Sequence, residues 1–248
     1  MQRAALEKTS TSSAIATGCP LLGKKTLAID ADMQANLTRS FGQSGRDNAI
    51  FLDILEGKVK PKEAITNIFP GLDFIPSNIR NAKLDRYLQA ENMPIDKAYS
   101  KIIKQFKKDY DIIIIDLPPA INSSVNSAIL SAHTIICPIN ADEFSRDGLD
   151  LTFSEFKYIT EQYEKDIKFH ILLNKVEQTT LITDKVTTDI LKVEDYQTRM
   201  LPTFVRKNIE FTNIVSQEVS LFDTAKKSNA RKDILEVLSF LLGIKNNC

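Results

Sequence analysis

The chain has 248 residues, with 32 Lys and Arg against 32 Asp and Glu, so its formal net charge is zero. This balance excludes a globally basic DNA-binding protein, and any contact with DNA has to come from a local patch. The three cysteines are scattered, which argues against a zinc site or a disulfide framework and fits a reducing cytoplasm. No signal peptide and no run approaching 18 apolar residues is visible, so we expect a cytoplasmic protein that does not span a membrane.

Along the chain, short apolar runs rich in β-branched residues alternate with segments of helical spacing. The predicted strands are Thr26–Ile29, Leu72–Ile75, Asp111–Ile115, Thr134–Cys137 and Phe169–Leu173. The predicted helices are Ala82–Gln89, Ile95–Lys107, Ser123–Ala132, Leu149–Tyr163, Leu181–Val193 and Arg231–Leu242. This order predicts an α/β fold, a doubly wound and mostly parallel sheet flanked by helices, in one domain over residues 1–248.

Two carboxylates follow the first predicted strand. Asp30 and Asp32 are spaced by two, and they would point to the same side if the strand continued through both. Acidic groups at the end of such a strand can hold metal-bound water or position an attacking water beside phosphates. The alternative is a polar turn in which Asp32 caps the following helix.

The strand Asp111–Ile115 is apolar at consecutive positions, as expected for a strand buried on both faces of a parallel sheet. It ends in Asp116, followed by Leu-Pro-Pro. A carboxylate at this position can hold water on Mg²⁺ beside nucleotide phosphates, which is the Walker B arrangement. An ordinary core strand with a capping Asp is the alternative.

Together these segments resemble the ParA/MinD family of deviant Walker partition ATPases. The match rests on Ala28–Thr38, on Asp111–Pro119 and on Leu72–Ser77, with Met33 in place of the usual proline. The resemblance extends over almost the whole chain. It implies a P-loop NTPase fold, ATP and Mg²⁺ as cofactors, a nucleotide-dependent homodimer, non-specific binding to DNA, and a ParB-like centromere-binding partner.

The resemblance also assigns roles to single positions. Lys8 would contact phosphates and act in catalysis, and Asp32 would orient the attacking water. Arg3 stands where the family has its signature lysine. It keeps the positive charge, but on a planar guanidinium and not on an ammonium group. The implied nucleotide-binding residues are Arg3, Lys8, Thr9, Ser10 and Asn174, and the implied metal-binding residues are Thr9, Asp30 and Asp116.

The phosphate loop departs from the family pattern. Residues 3–9 read Arg-Ala-Ala-Leu-Glu-Lys-Thr, where the family has Lys-Gly-Gly-Val-Gly-Lys-Thr. The lost glycines should strain the loop, because backbone N–H groups must approach phosphate closely there. Glu7 adds a negative charge beside the phosphates. Pro20 falls within the helix expected after the loop, where it would remove a hydrogen bond.

The family also has a strand just before the loop, for which this sequence has no room, so we expect an N-terminal truncation. A decayed gene copy, a misassigned start and a retained non-hydrolysing relative are the three explanations. The first functional hypothesis is therefore a ParA-type ATPase in plasmid or chromosome partitioning. The second is a catalytically impaired or decayed ParA-like binding module, which the loop substitutions favour.

Basic residues cluster towards the C-terminus. The candidate DNA-binding residues are Lys207, Lys226, Lys227 and Arg231, with Arg206 and Lys232 beside them. Such a patch would place the protein on the nucleoid, whereas an ordinary solvated face is the alternative. A third hypothesis is a MinD-like regulator that reaches the membrane through a C-terminal helix. The segment Ile234–Ile244 is instead strongly apolar, as expected for a helix that packs on the domain.

Overall fold

The structure is a computed structural model that describes residues 2–140, 145–177, 187–208 and 228–244. These residues form two compact units, the first over residues 2–131 and the second over the described residues from 132 onward. Each unit contains its own sheet. The sequence analysis predicts one domain, and that remains a prediction.

The first unit is built on a four-stranded sheet in the order β2–β3–β1–β4. Its strands are β1 (Thr26–Asp30), β2 (Thr66–Phe69), β3 (Leu72–Ile75) and β4 (Ile112–Asp116). Its α-helices are α1 (Gln2–Gly18), α2 (Asn36–Ser40), α3 (Phe51–Leu55), α4 (Leu84–Ala90), α5 (Ala98–Phe106) and α6 (Ser123–Ser131). Three 3₁₀ helices, Pro20–Leu22, Pro61–Ala64 and Ile79–Lys83, complete the unit. Pro20 therefore begins a separate 3₁₀ helix after α1 has ended, and the expected disruption of a helix does not occur.

Strand β1 lies between β3 and β4 and is parallel to both. All five of its residues are buried, as expected at the centre of a parallel sheet. Burial on both faces was predicted for the strand that became β4, but β4 is last in the strand order and Ile112–Ile115 are only partly buried. The side chains of β1 alternate between two cores. Leu27 and Ile29 join a cluster with Phe51 and Tyr99, whose rings stack with centroids 4.3 Å apart, while Ala28 joins a cluster on the opposite face.

Strand β2 is antiparallel to β3 and was not predicted. The two strands are joined by Pro70 and Gly71, and Gly71 has a φ of +94°. A Cβ at Gly71 would lie 3.0 Å from the Cβ of Pro20, so both the backbone angle and the close approach require glycine. Most residues of β2 are only partly buried, which explains why its sequence lacks a clear strand pattern.

The second unit has a three-stranded parallel sheet in the order β5–β6–β7. Its strands are β5 (Thr134–Asn140), β6 (Lys168–Val176) and β7 (Met200–Arg206). Its helices are α7 (Ser145–Gln162), α8 (187–191), α9 (Glu194–Gln197) and α10 (Asn229–Leu242). The first six residues of the predicted helix Leu181–Val193 lie outside the described residues. Strand β7 was not predicted. It contains Pro202 and lies at the sheet edge with an irregular register, where a proline is tolerated.

Helix α10 packs against β7 with Ile234, Val237 and Leu238 buried. Ser228 caps its N-terminus, where its side chain accepts a hydrogen bond from the N–H of Arg231, and Gly243 in the left-handed conformation follows its C-terminus. The prediction that this helix packs on the protein is therefore confirmed. None of the helices in the described part of the chain combines the length and apolar character needed to cross a membrane.

Candidate functional site

The site lies at the carboxyl edge of the first unit's sheet. Asp30 and Asp116 are the last residues of β1 and β4 and are direct partners in the parallel register. Both are buried. The N–H of Ala31 donates to the carbonyl of Asp116 over 2.9 Å and ties the two strand ends together. The parallel register therefore brings these two carboxylates to one edge of the sheet.

Helix α1 contributes two hydroxyl groups to the same place. Thr9 Oγ1 donates to Asp116 Oδ2 over 3.0 Å, and Ser12 Oγ donates to Asp116 Oδ1 over 2.7 Å. Residues three apart share one helix face, which is why both hydroxyls reach the same carboxylate. Thr9 and Asp116 are two of the three positions predicted from the resemblance to serve Mg²⁺, and the structure brings them into direct contact.

The Asp30 carboxylate is held by the turn that follows β1. Its Oδ2 accepts from the N–H and the hydroxyl of Thr38 over 2.9 and 2.8 Å, and its Oδ1 accepts from the N–H of Asp32 over 3.0 Å. Thr38 Oγ1 in turn accepts from the N–H of Ser77 over 2.8 Å. The end of β1 is thereby connected to the segment after β3.

Burial is the largest cause that raises the pKa of Asp30, to about 8 from an ordinary 3.8. The neighbouring charge of Asp116 raises the pKa further, whereas the hydrogen bonds from Thr38 and Asp32 lower it. Because the folded state holds this proton more tightly, Asp30 contributes stability at low pH that is lost between about pH 4 and 8. Two buried carboxylates this close repel each other when both are ionised, and a bound cation would reduce that repulsion.

Asp32 lies in the turn after β1, because the strand ends at Asp30. Its Oδ1 accepts from the N–H of Gln34 over 2.9 Å, and its carbonyl accepts from Ser77 Oγ over 2.6 Å. The N-cap of α2 is Ala35, so the alternative in which Asp32 caps that helix is wrong. Ala35 has a φ of +53°, a conformation that costs an L-residue about 1–2 kcal/mol.

Residues 2–7 do not form the predicted phosphate loop, because they are the first turns of α1. The physical reason is visible in the sequence. Gln-Arg-Ala-Ala-Leu-Glu contains only good helix formers, and no glycine or proline interrupts them. Beyond the first turn of a helix the N–H groups bond to carbonyls of the same helix, so the N–H groups of residues 6 and 7 are not free to surround phosphate. Arg3 and Lys8 lie on α1, and their side chains are outside the part of the chain that the structure describes.

The remaining predicted residues are distributed as follows. Ser10 is buried on α1, and Asn174 is buried on β6 opposite Asn140 in the parallel register. Lys226 and Lys227 lie outside the described residues. Lys207 contacts Glu177 in a surface ion pair, and Lys232 lies 4.0 Å from Glu236. Arg206 binds the buried carboxylate of Asp233, so its charge serves the fold of the second unit.

Sequence reasoning missed Ser12, Thr38 and Ser77 as parts of the site. Ser12 could have been found from its helical spacing to Thr9, and Thr38 stands at the end of the segment that carries the family resemblance. Ser77 could not, because its bond to Thr38 joins residues 39 positions apart. A contact of that range depends on the fold and not on local spacing.

The donor set fits Mg²⁺. This ion binds oxygen ligands and in nucleotide sites is held by one or two carboxylates together with phosphates and waters. The site offers the Asp116 carboxylate, the Asp30 carboxylate and the Thr9 hydroxyl. Among the described residues no group of three or more His, Cys, Asp or Glu could hold a metal alone. The arrangement therefore suits an ion that arrives with phosphate.

Comparison with known proteins gives consistent matches. The family model described as an AAA domain matches residues 2–169. Cell division protein PomZ of Myxococcus xanthus is 27% identical over 240 residues, which cover 95% of this chain and 74% of PomZ. Sporulation initiation inhibitor protein Soj of Bacillus subtilis is 22% identical over 227 residues, which cover 90% of this chain and 88% of Soj.

Among solved structures, the ATP complex of Cyanothece McdA superposes with a TM-score of 0.84 at 20% identity. The match covers 98% of this chain and 94% of the McdA chain. At this identity the likeness shows the fold, an α/β sheet flanked by helices as in P-loop NTPases. The family model, which spans more than half of the chain, and the relatives of the ParA group together establish the family. The chain belongs to the AAA-domain family and, within it, is a ParA/MinD-like P-loop ATPase.

Proposed function

We propose that this protein is a ParA-type partition protein that binds Mg²⁺ and ATP at the carboxyl edge of the first unit's sheet. One observation carries the proposal, namely the contact of the Thr9 hydroxyl with the carboxylate of Asp116, beside Asp30 in register. A hydroxyl on the first helix and a carboxylate at a strand end are the pair that P-loop ATPases use for the ion.

In this proposal Thr9 and Asp116 would hold the metal, with Asp30 close by. When bound, the ion neutralises negative charge on the phosphate oxygens. Lys8 would contact the phosphates, and Asp32 would position the attacking water. Thr38 and Asp32 fix the orientation of Asp30 through three hydrogen bonds, so this carboxylate needs little rearrangement.

The proposal extends to partners. The protein would form a nucleotide-dependent homodimer, bind DNA non-specifically and act in partition with a ParB-like protein on the nucleoid. Lys207, Arg231, Lys226 and Lys227 are the proposed DNA contacts. The pairing of Lys207 with Glu177 does not oppose this role, because exposed ion pairs contribute little and exchange readily.

A second candidate function is a non-hydrolysing binding module with the same fold. The helical conformation of residues 2–7 favours it, because a helix pairs the N–H groups beyond its first turn, whereas a phosphate loop leaves such groups free. The oxygen ligands of Thr9, Asp30 and Asp116 would then persist without backbone N–H groups that bind phosphate well. Nucleotide binding would be weak and hydrolysis absent.

The deciding experiment is a fluorescent-nucleotide titration with and without Mg²⁺, together with a phosphate-release assay. Thr9→Ala and Asp116→Asn should each remove the Mg²⁺-dependent part of binding. Thr17→Ala is the matched control, since within the described residues the side chain of this buried threonine of α1 donates only to carbonyls of its own helix, those of Ser13 and Ala14. If both site variants bind nucleotide as the wild type does, the metal assignment is refuted.

The triple variant Ala4→Gly/Ala5→Gly/Glu7→Gly separates the two candidates. Each glycine lowers helix stability by about 1 kcal/mol, and the loss of Glu7 removes a like charge near phosphate. Tighter nucleotide binding and new phosphate release in this variant would support an impaired ATPase. Wild-type hydrolysis that Lys8→Ala abolishes would instead show an active enzyme. No phosphate release from either the wild type or the triple variant would favour the binding module.

A further inference from the structure

A lysine-rimmed cavity lies in the first unit, away from the strand ends that carry Asp30 and Asp116. It is formed by the C-terminal end of α3 and the segment after it, by the turn after α4, and by α5. Its volume is about 450 Å³. Its lining includes Ile54, Val59, Ile102, Lys58, Lys60 and Lys101.

The floor of this cavity is apolar. Ile54 and Ile102 are buried at its base, and Val59 and Met93 are half-buried along its walls. An apolar surface that faces an open cavity is unfavourable in water, and a ligand that covers it gains about 25 cal/mol for each Å² removed from solvent. The cavity is therefore suited to an apolar side chain.

The rim is positively charged. Lys58, Lys60 and Lys101 are exposed, and Glu63 is the single acidic residue in the lining. Lys58 contacts Glu56 over 2.5 Å. Within the described residues, no carboxylate lies within 4.0 Å of the ammonium groups of Lys60 and Lys101. Two cations beside an apolar opening attract carboxylates from a ligand.

The wall that carries two of these lysines is held in place before any ligand binds. Gly57 has a φ of +70°, and the N–H of Lys58 donates to the carbonyl of Asp53 over 2.9 Å. The buried Asp53 carboxylate pairs with Arg80 over 2.6 Å. The N–H of Lys60 donates to Glu63 over 2.8 Å. A preformed wall reduces the ordering cost of binding.

We propose that this cavity docks an acidic peptide segment of a partner protein, which inserts an apolar side chain between α3 and α5 and places carboxylates on Lys60 and Lys101. A nucleic acid fits the same charges less well. A phosphate backbone would engage the lysines but would leave the apolar floor uncovered. The apolar floor and the charged rim together select a peptide that carries both features.

The test uses the full chain and a fluorescein-labelled peptide with a Leu-Phe core flanked by two Glu on each side. Fluorescence anisotropy measures its affinity at low and at high salt. The charge-reversal variant Lys60→Glu/Lys101→Glu should weaken binding by about 10-fold or more at low salt, with a smaller effect at high salt. The control Lys104→Glu/Lys108→Glu reverses two exposed lysines that do not line the cavity, and it should bind within about twofold of wild type.

A second peptide, with Ser-Ser in place of Leu-Phe, tests the floor and should bind about 10-fold more weakly. Equal affinity for both peptides would overturn the proposal, since the apolar floor would then play no part. Equal losses in the two charge-reversal variants would overturn it as well. A short duplex DNA that binds through Lys60 and Lys101 while neither peptide binds would assign the rim to nucleic acid.

Discussion

The ion pair between Arg206 and Asp233 allows a sharp stability prediction in the second unit. Arg206 Nε and Nη2 both bond to Asp233 Oδ1, over 3.1 and 2.5 Å. The N–H of Arg206 also donates to Oδ2 over 2.9 Å. This pair joins β7 to α10, and the hydrogen bonds that Arg206 donates to Asp233 raise the pKa of Arg206 above its ordinary range. Arg206→Ala leaves the Asp233 carboxylate buried without its cation.

Removing one partner of a fully buried pair costs about 3–5 kcal/mol. The Asp233 side chain is only 3% exposed, but that of Arg206 is 27% exposed, so water can partly replace the guanidinium. We therefore expect Arg206→Ala to lower the free energy of unfolding by about 2–4 kcal/mol. For a chain of this length, that loss lowers Tm by about 5–15 °C.

Urea and thermal unfolding followed by circular dichroism measure this difference. The neighbouring Lys207→Ala is the matched control, because its ion pair with Glu177 is exposed, with side-chain exposures of 64% and 40%. That variant should lose less than about 1 kcal/mol. Equal losses for both variants, or a loss below about 0.5 kcal/mol for Arg206→Ala, would refute the reasoning from burial.

Three further predictions concern the first unit. Ala35→Gly should stabilise the protein by about 0.5–1 kcal/mol in urea unfolding, because glycine relieves the positive φ; a loss of stability would contradict this. Burial raises the pKa of Cys19 from 9.0 to about 11. In a Cys137→Ser/Cys248→Ser background, Cys19 should therefore react with a thiol reagent at constant pH about 100-fold more slowly in the folded protein than in urea. Equal rates would show that the thiol is accessible. The free energy of unfolding should fall from pH 5 to pH 8 through the raised pKa of Asp30, and Asp30→Asn should flatten this slope, whereas an unchanged slope would assign the titration elsewhere.

Strands β1 and β4 could be predicted because each is a largely apolar run that ends in a carboxylate, and parallel strands bring their carboxyl ends to one edge. Strand β4 is last in the strand order of the first unit, and Ile112–Ile115 are only partly buried, so the apolar run predicts the strand but overstates its burial. Strands β2 and β7 could not be predicted in the same way. Strand β2 is half-exposed, and β7 contains a proline that only an edge position tolerates.

The carboxylates of the site were predictable for the same reason, but the groups that orient them were not. Asp30 and Asp116 follow apolar runs, whereas Ser12 and Ser77 are ordinary polar residues until the fold places them. Ser12 reaches a carboxylate 104 positions away, and Ser77 bonds to a hydroxyl 39 positions away. The spacing of residues along a helix or strand cannot predict contacts between residues so far apart in the sequence.

The N-terminal segment shows how two parts of one site can have separate physical requirements. Holding a metal beside a sheet edge needs a few oxygen atoms at fixed positions, and Thr9 and Asp116 meet that need from a helix and a strand. Surrounding a phosphate needs a backbone that leaves its N–H groups unpaired, and this requires glycine at left-handed positions. Once Ala4, Ala5 and Glu7 occupy those positions, helix propensity favours internal hydrogen bonds, and the segment becomes part of α1. The substitutions therefore act on nucleotide binding through the backbone conformation, and the oxygen ligands at the sheet edge can persist without the loop.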